Sequence, residues 1–163
     1  MPEYSDPEKI RYMIADYFAS VKEIDFWVGK ILDKLDELGL AENTLVVFTS
    51  DHGEMLGGHG MREKNVFYEE SVHIPLMIRH PAKIKPGVMV RAPVSQINLF
   101  ATILDYLEAG EHESDGVSLR RYIEGKADEE VAFAVAEWNW RGPIQPNLMV
   151  RTCDWKYFVP NTA

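Results

Sequence analysis

Between residues 10 and 38 the apolar side chains fall at Ile10, Met13, Ile14, Tyr17, Phe18, Val21, Ile24, Val28, Ile31, Leu32, Leu35 and Leu38. This spacing predicts one unbroken helix with a single wide apolar face. Ser5-Asp6-Pro7-Glu8 supplies a capping box and Gly39 a stop. At about 1.5 Å per residue the helix reaches roughly 50 Å, more than a chain of 163 residues needs to cover its own core. It is expected either to bend or to pack in part on something outside this chain.

The β-branched run Thr44-Leu45-Val46-Val47-Phe48-Thr49-Ser50 reads as a strand buried on both faces of a parallel sheet. Residues 74–79 read as a second strand. Residues 51–73 between them form a long loop rich in Gly, His, Glu and Lys, and loops of that length are usually either functional or disordered. Helical spacing returns over residues 96–109, with a short amphipathic piece at 119–124. Residues 131–138, 148–152 and 156–160 then read as strands of a small antiparallel annex. The expected architecture is α/β, with a partial sheet and flanking helices over residues 1–125 and the annex over 126–163.

A net charge of −9 repels phosphate backbones and anionic lipid, so neither nucleic acid nor a membrane is expected as a partner. Cys153, the single cysteine, excludes an internal disulfide and a Cys-rich zinc site, and is expected as a small buried apolar residue. No apolar run approaches the roughly 20 residues of a membrane span. The Met1-Pro2-Glu3 start lacks signal-peptide character, so a soluble, cytoplasmic location is favoured on this chain alone, that of a longer parent protein being unknown.

The densest polar cluster follows the first strand: Ser50-Asp51-His52-Gly53-Glu54, then Gly57-Gly58-His59-Gly60 and Arg62-Glu63-Lys64. At the C-terminal end of a strand, Asp51 and His52 can offer an oxygen and a nitrogen to one divalent cation if Gly53 lets the backbone turn. Lys64 lies thirteen residues beyond Asp51, near enough to offer its ammonium to a sulfate or phosphate oxygen. Spacing alone favours a plainer alternative, in which Asp51 caps a turn, His52 and His59 make loop hydrogen bonds and residues 62–64 form a solvated patch. His73 and His80 flank the second strand as structural histidines, and His112 has no evident partner. Glu69 and Glu70 are expected to point apart as a cap and a surface charge. For Trp138, Trp140 and Trp155 a core role is favoured over lining a groove.

The stretch TLVVFTSDHGEMLGGHGMREKNVFYEESVHIPLMIRHP, residues 44–81, resembles the C-terminal metal-site segment of the type I sulfatases and the related phosphonate monoester hydrolases of the alkaline phosphatase superfamily. The likeness extends to the preceding helix, to residues 93–107, to Asp115-Gly116-Val117-Ser118-Leu119, and to Val150-Arg151-Thr152 with Lys156-Tyr157. It implies that Asp51 and His52 ligate the cation, His52 standing where many sulfatases have Asn, and that Lys64 contacts the sulfate or phosphonate oxygens. The implied cation is calcium first, with manganese or magnesium as alternatives. Gly58 and Asn98 depart from the usual Asp at both positions. The family's nucleophile, a formylglycine made within a Cys-x-Pro-Ser-Arg type motif, is not matched, because Cys153 is followed by Asp154-Trp155. Two further metal-ligating aspartates are also unmatched.

The resemblance therefore implies the C-terminal part of a sulfatase-like hydrolase acting on sulfate, phosphonate or phosphate esters. Formylglycine is expected in the N-terminal part, and the chain alone is expected to be inactive. A competing expectation is a noncatalytic interaction module that self-associates through a truncated face.

Overall fold

The computed structural model describes residues 6–110, 112–138 and 147–159. It forms two compact units, Met1–Ala82 and Lys83–Ala163.

In the first unit, α1 spans Pro7–Glu37 as one 31-residue helix. Its N-cap is Asp6, whose carboxylate accepts the Glu8 N–H at 3.0 Å, with Pro7 at the first helical position. Ser5, the first residue of the expected capping box, lies outside the described residues. Gly39 ends the helix as expected, with φ +66° and its N–H on the Asp36 carbonyl at 3.0 Å. The apolar face is largely uncovered. Ile10, Met13, Ile14, Val28, Leu32 and Leu35 are half-buried, whereas Tyr17, Phe18, Val21, Ile24, Trp27 and Ile31 are exposed.

β1 (Val46–Thr49) and β2 (Leu76–Arg79) form a two-stranded antiparallel sheet, with Val46 opposite Arg79 and Thr49 opposite Leu76. The parallel pairing expected for β1 is thus corrected, and the reason lies in the connection. Between the strands the only α-helix is the four-residue α2, Glu69–Val72, so the chain doubles back instead of crossing over the sheet, as a parallel neighbour requires. With only one described partner strand, β1 is half-buried throughout and not covered on both faces. The pairing sets the start of the long loop, just past Thr49, beside the start of β2. Among the described residues no helix is long and apolar enough to cross a membrane.

In the second unit, α3 (Asn98–Leu107) and α4 (Arg120–Ile123) pack around Thr102 and Tyr106, both fully buried. The Thr102 hydroxyl donates to the Asn98 carbonyl at 2.7 Å and accepts the Leu119 N–H at 2.9 Å. Asp115-Gly116-Val117-Ser118-Leu119 is thereby fastened to α3. Gly116 fits because a Cβ there would collide with the Ile97 carbonyl. Asn98 accepts the Ser95 N–H at 3.0 Å and donates its amide to the Val117 carbonyl at 3.1 Å. A carboxylate could make only the first of these bonds.

β3 (Phe133–Trp138), β4 (Asn147–Thr152) and β5 (Lys156–Phe158) form the expected antiparallel annex sheet in the order β3-β4-β5. Cys153 is half-buried, and its thiol donates to the Glu129 carbonyl at 3.1 Å, so it serves as a polar tie and not as simple apolar filling. Trp138 is half-buried. Trp155 is 79% exposed, contrary to its expected core role, because it sits in the β4–β5 turn with its N–H on the Thr152 hydroxyl at 3.0 Å. Trp140 lies outside the described residues.

Candidate functional site

The chain leaves β1 through a turn held by its own polar side chains. The Ser50 hydroxyl donates to the His52 carbonyl at 2.7 Å, and the Asp51 carboxylate accepts the His52 N–H at 2.9 Å. Gly53 then donates its N–H to the Ser71 carbonyl at 2.8 Å. Glycine is needed at this point because a Cβ would overlap the Glu70 carbonyl. Gly53 is not among the residues with left-handed backbone, so it permits a close approach and not the sharp turn expected of it.

Asp51 and His52 converge. His52 Nε2 lies 3.2 Å from Asp51 Oδ2, while Nδ1 lies 2.8 Å from the Gly53 carbonyl. A carbonyl only accepts, so Nδ1 carries the proton of that bond, and in neutral imidazole Nε2 then presents a lone pair toward Asp51. Two acceptors that close require a proton or a cation between them. Their separation is also that of two ligand atoms at right angles on a cation with bonds of about 2.3 Å. The donor set, one carboxylate oxygen and one imidazole nitrogen whose ring is fixed by a backbone carbonyl, suits a divalent cation. The Asp51 carboxyl is held below the usual carboxylate range, first by the His52 N–H and then, against the opposing effect of burial, by the Ser50 hydroxyl. Side-chain exposure of 82% for Asp51 and 39% for His52 leaves both accessible. Among the described residues no group of three or more His, Cys, Asp or Glu side chains is placed to hold a metal.

The following loop is folded back on itself. Met55 donates its N–H to the Glu63 carbonyl at 3.0 Å, Glu63 returns its N–H to Glu54 Oε1 at 2.7 Å, and Gly57 bonds Met61 at 2.9 Å. Leu56, His59 and Glu63 all take left-handed backbone there. His59 stacks on Tyr68 with ring centroids 3.9 Å apart, and its Nε2 lies 4.0 Å from Glu70 Oε1. Glu69 instead faces His73, at 3.6 Å, so the two glutamates point apart as expected. A Cβ at Gly58 would stand 3.1 Å from Glu70 Oε1, and an Asp there would meet a like charge. His80 is buried, and His112 reaches the Ala109 carbonyl at 3.3 Å, a partner the sequence did not reveal.

Lys64 is exposed, and among the described residues its ammonium forms no ion pair. Its contact with the Asp51–His52 turn runs through the main chain. The Ser71 hydroxyl donates to the Lys64 carbonyl at 2.5 Å, and the Ser71 carbonyl receives Gly53. The structure therefore brings the heads of Asp51 and His52 together and ties the Lys64 backbone to the same buried residue. Ser71, Glu54 and Ser50 are the participants that sequence reasoning missed, since their bonds span 7, 9 and 2 residues and follow no periodic pattern.

The family model described as "Sulfatase" matches residues 2–109. Arylsulfatase K of Danio rerio is 32% identical over 159 residues, covering 93% of this chain and 30% of the relative. The N-acetylglucosamine-6-O-sulfatase of Bacteroides thetaiotaomicron is 37% identical over 156 residues, covering 91% and 28%. The solved structure of a phosphonate monoester hydrolase from Silicibacter pomeroyi superposes with a TM-score of 0.82 at 31% identity, covering 93% of this chain and 33% of that one. The chain spans about 30% of the length of the curated relatives it matches.

Proposed function

Since the chain belongs to the sulfatase family, we propose that it supplies part of the active site of a metal-dependent ester hydrolase whose first substrate class is sulfate esters. Asp51 and His52 hold the divalent cation, calcium first, with manganese or magnesium as alternatives. When bound, that cation polarises the oxygens of the ester group and neutralises charge that develops on them. The observation that carries the reading is the 3.2 Å convergence of Asp51 Oδ2 and His52 Nε2 at the end of β1. His52 keeps its Nδ1 proton on the Gly53 carbonyl and so keeps Nε2 turned toward Asp51. The Asp51 carboxyl, held below its usual range by the His52 N–H, favours the ionised form that a cation takes as ligand. Lys64 offers a fixed positive charge to a nonbridging oxygen or to the oxygen that departs. The attacking group, a formylglycine, and the further metal ligands come in this reading from sequence outside the chain.

A second substrate class, phosphonate and phosphate esters, is favoured by the fold match to the phosphonate monoester hydrolase. Sulfate monoesters and phosphonate monoesters are both tetrahedral monoanions, so the same cation and ammonium serve either. A noncatalytic interaction module remains the reading from another class, favoured by the exposed apolar face of α1.

The test is Lys64→Ala in the full-length enzyme, assayed on an aryl sulfate and on an aryl phosphonate monoester with metal content measured alongside. Turnover is expected to fall about a hundredfold or more on the preferred ester, with the metal retained. Unchanged turnover would remove Lys64 from the mechanism.

A further inference from the structure

Lys64 presents a problem of aim. Its side chain is exposed and, among the described residues, has no ion pair to hold its head, so the position of the ammonium depends on where its backbone is pinned. On the N-terminal side Glu63 is locked with φ +71° by the Glu54 carboxylate and the Met55 N–H. On the C-terminal side the tie is Ser71, only 3% exposed, in the α2 turn. Its hydroxyl donates to the Lys64 carbonyl at 2.5 Å, while its own carbonyl accepts the Gly53 N–H at 2.8 Å.

We propose that Ser71 is a positioning residue, a single buried node that sets the distance between the cation-holding turn and the Lys64 ammonium. The inference rests on the role given to Lys64 above and extends it to a residue that touches neither cation nor ester. The two bonds of Ser71 are chemically separable. Ser71→Ala removes the hydroxyl that holds Lys64 and leaves the carbonyl that holds Gly53. The variant should therefore misplace the ammonium and leave Asp51 and His52 where they are.

The experiment compares wild type, Lys64→Ala, Ser71→Ala and Ser71→Thr in the full-length enzyme on aryl esters of graded leaving-group acidity, with metal content and amide hydrogen exchange measured on each. Ser71→Ala is expected to lower kcat about ten- to a hundredfold, more for poorly acidic leaving groups than for 4-nitrophenol, with KM and metal content little changed. Exchange should accelerate at the Glu63 amide and stay slow at the Gly53 amide. Ser71→Thr, which keeps a hydroxyl, should recover most of the loss. If Ser71→Ala does not fold, Ser71→Cys, with similar shape and a weaker donor, carries the same comparison. An equal loss on every ester accompanied by loss of metal would assign Ser71 to general structure and overturn the proposal, as would wild-type kinetics in Ser71→Ala beside an impaired Lys64→Ala. Wild-type kinetics in Lys64→Ala itself would instead bring down the reading on which the proposal rests.

Discussion

Gly53 shows how one hydrogen in place of a methyl group decides the geometry of the candidate site. Its N–H reaches the Ser71 carbonyl, and the Glu70 carbonyl occupies the space a Cβ would need. Any side chain would push the Asp51–His52 turn away from α2 and lengthen the bond that ties the turn to Ser71. Gly53→Ala is expected to destabilise the fold by about 1–3 kcal/mol, as overpacking against backbone does. Because the displaced turn carries both proposed ligands, it should weaken cation binding as well. Thermal and denaturant unfolding check the first effect, and calorimetric titration with calcium the second. A variant as stable as wild type with undiminished cation affinity would mean that the close approach is not made.

At the scale of elements, the second unit offers a pH-dependent device in the link between α3 and α4. The Ser118 hydroxyl donates to Asp105 at 2.6 Å, and Arg120 bridges Asp105 at 2.9 Å and Glu124 at 2.8 Å. The Ser118 hydroxyl and then Arg120 hold the Asp105 carboxyl below its usual range, while Lys126 and Arg120 do the same for Glu124. A depressed carboxylate contributes stability that is present above its unfolded pKa, about 4, and is lost as pH falls through the lower folded value. Arg120, shifted upward, stays charged throughout and adds no slope in this range. Stability is expected to decline from about pH 4 downward. Asp105→Asn should cost about 1 kcal/mol at neutral pH, the small size reflecting a partly exposed cluster, and should flatten the decline. Urea titrations between neutral pH and about pH 3 check both, and a variant with the wild-type slope would remove Asp105 from the cluster.

The elements themselves were legible in the sequence wherever a periodic pattern meets a local stop signal. α1, α3 and the three annex strands fall where their spacing places them, within a few residues at each end. The direction of β2 was not legible, since a strand's own residues do not state which neighbour it meets. Nor was the folded loop, where Leu56, His59 and Glu63 adopt left-handed backbone without being glycine. In the site, the adjacency of Asp51 and His52 was visible as a dipeptide. Their convergence depends on Ser50, Gly53 and Ser71, which act through single hydrogen bonds that no spacing rule reports.

For the molecule as a whole the deciding quantity is apolar surface left in water. Phe18, Val21, Ile24 and Ile31 lie along the uncovered face of α1, and Phe133, Val135, Val150 and Tyr157 are exposed on the annex strands. In the paired register Val135 faces Val150 and Val150 faces Tyr157, so these side chains form a contiguous patch on one side of that sheet. Continuous apolar surfaces of this kind are uncommon on monomeric proteins and drive association when left open. In a longer sulfatase-family protein such faces can be covered within the same fold, whereas this chain by itself has only another copy to offer. The 163-residue chain is therefore expected to associate as its concentration rises, with light scattering giving masses above 18.7 kDa. Val21→Glu combined with Ile24→Glu, which places charge in the middle of the α1 face without touching a half-buried position, should shift the equilibrium toward monomer. A clean monomer for the unaltered chain at every concentration would show that these surfaces do not bind one another, and the interaction-module reading would lose its support.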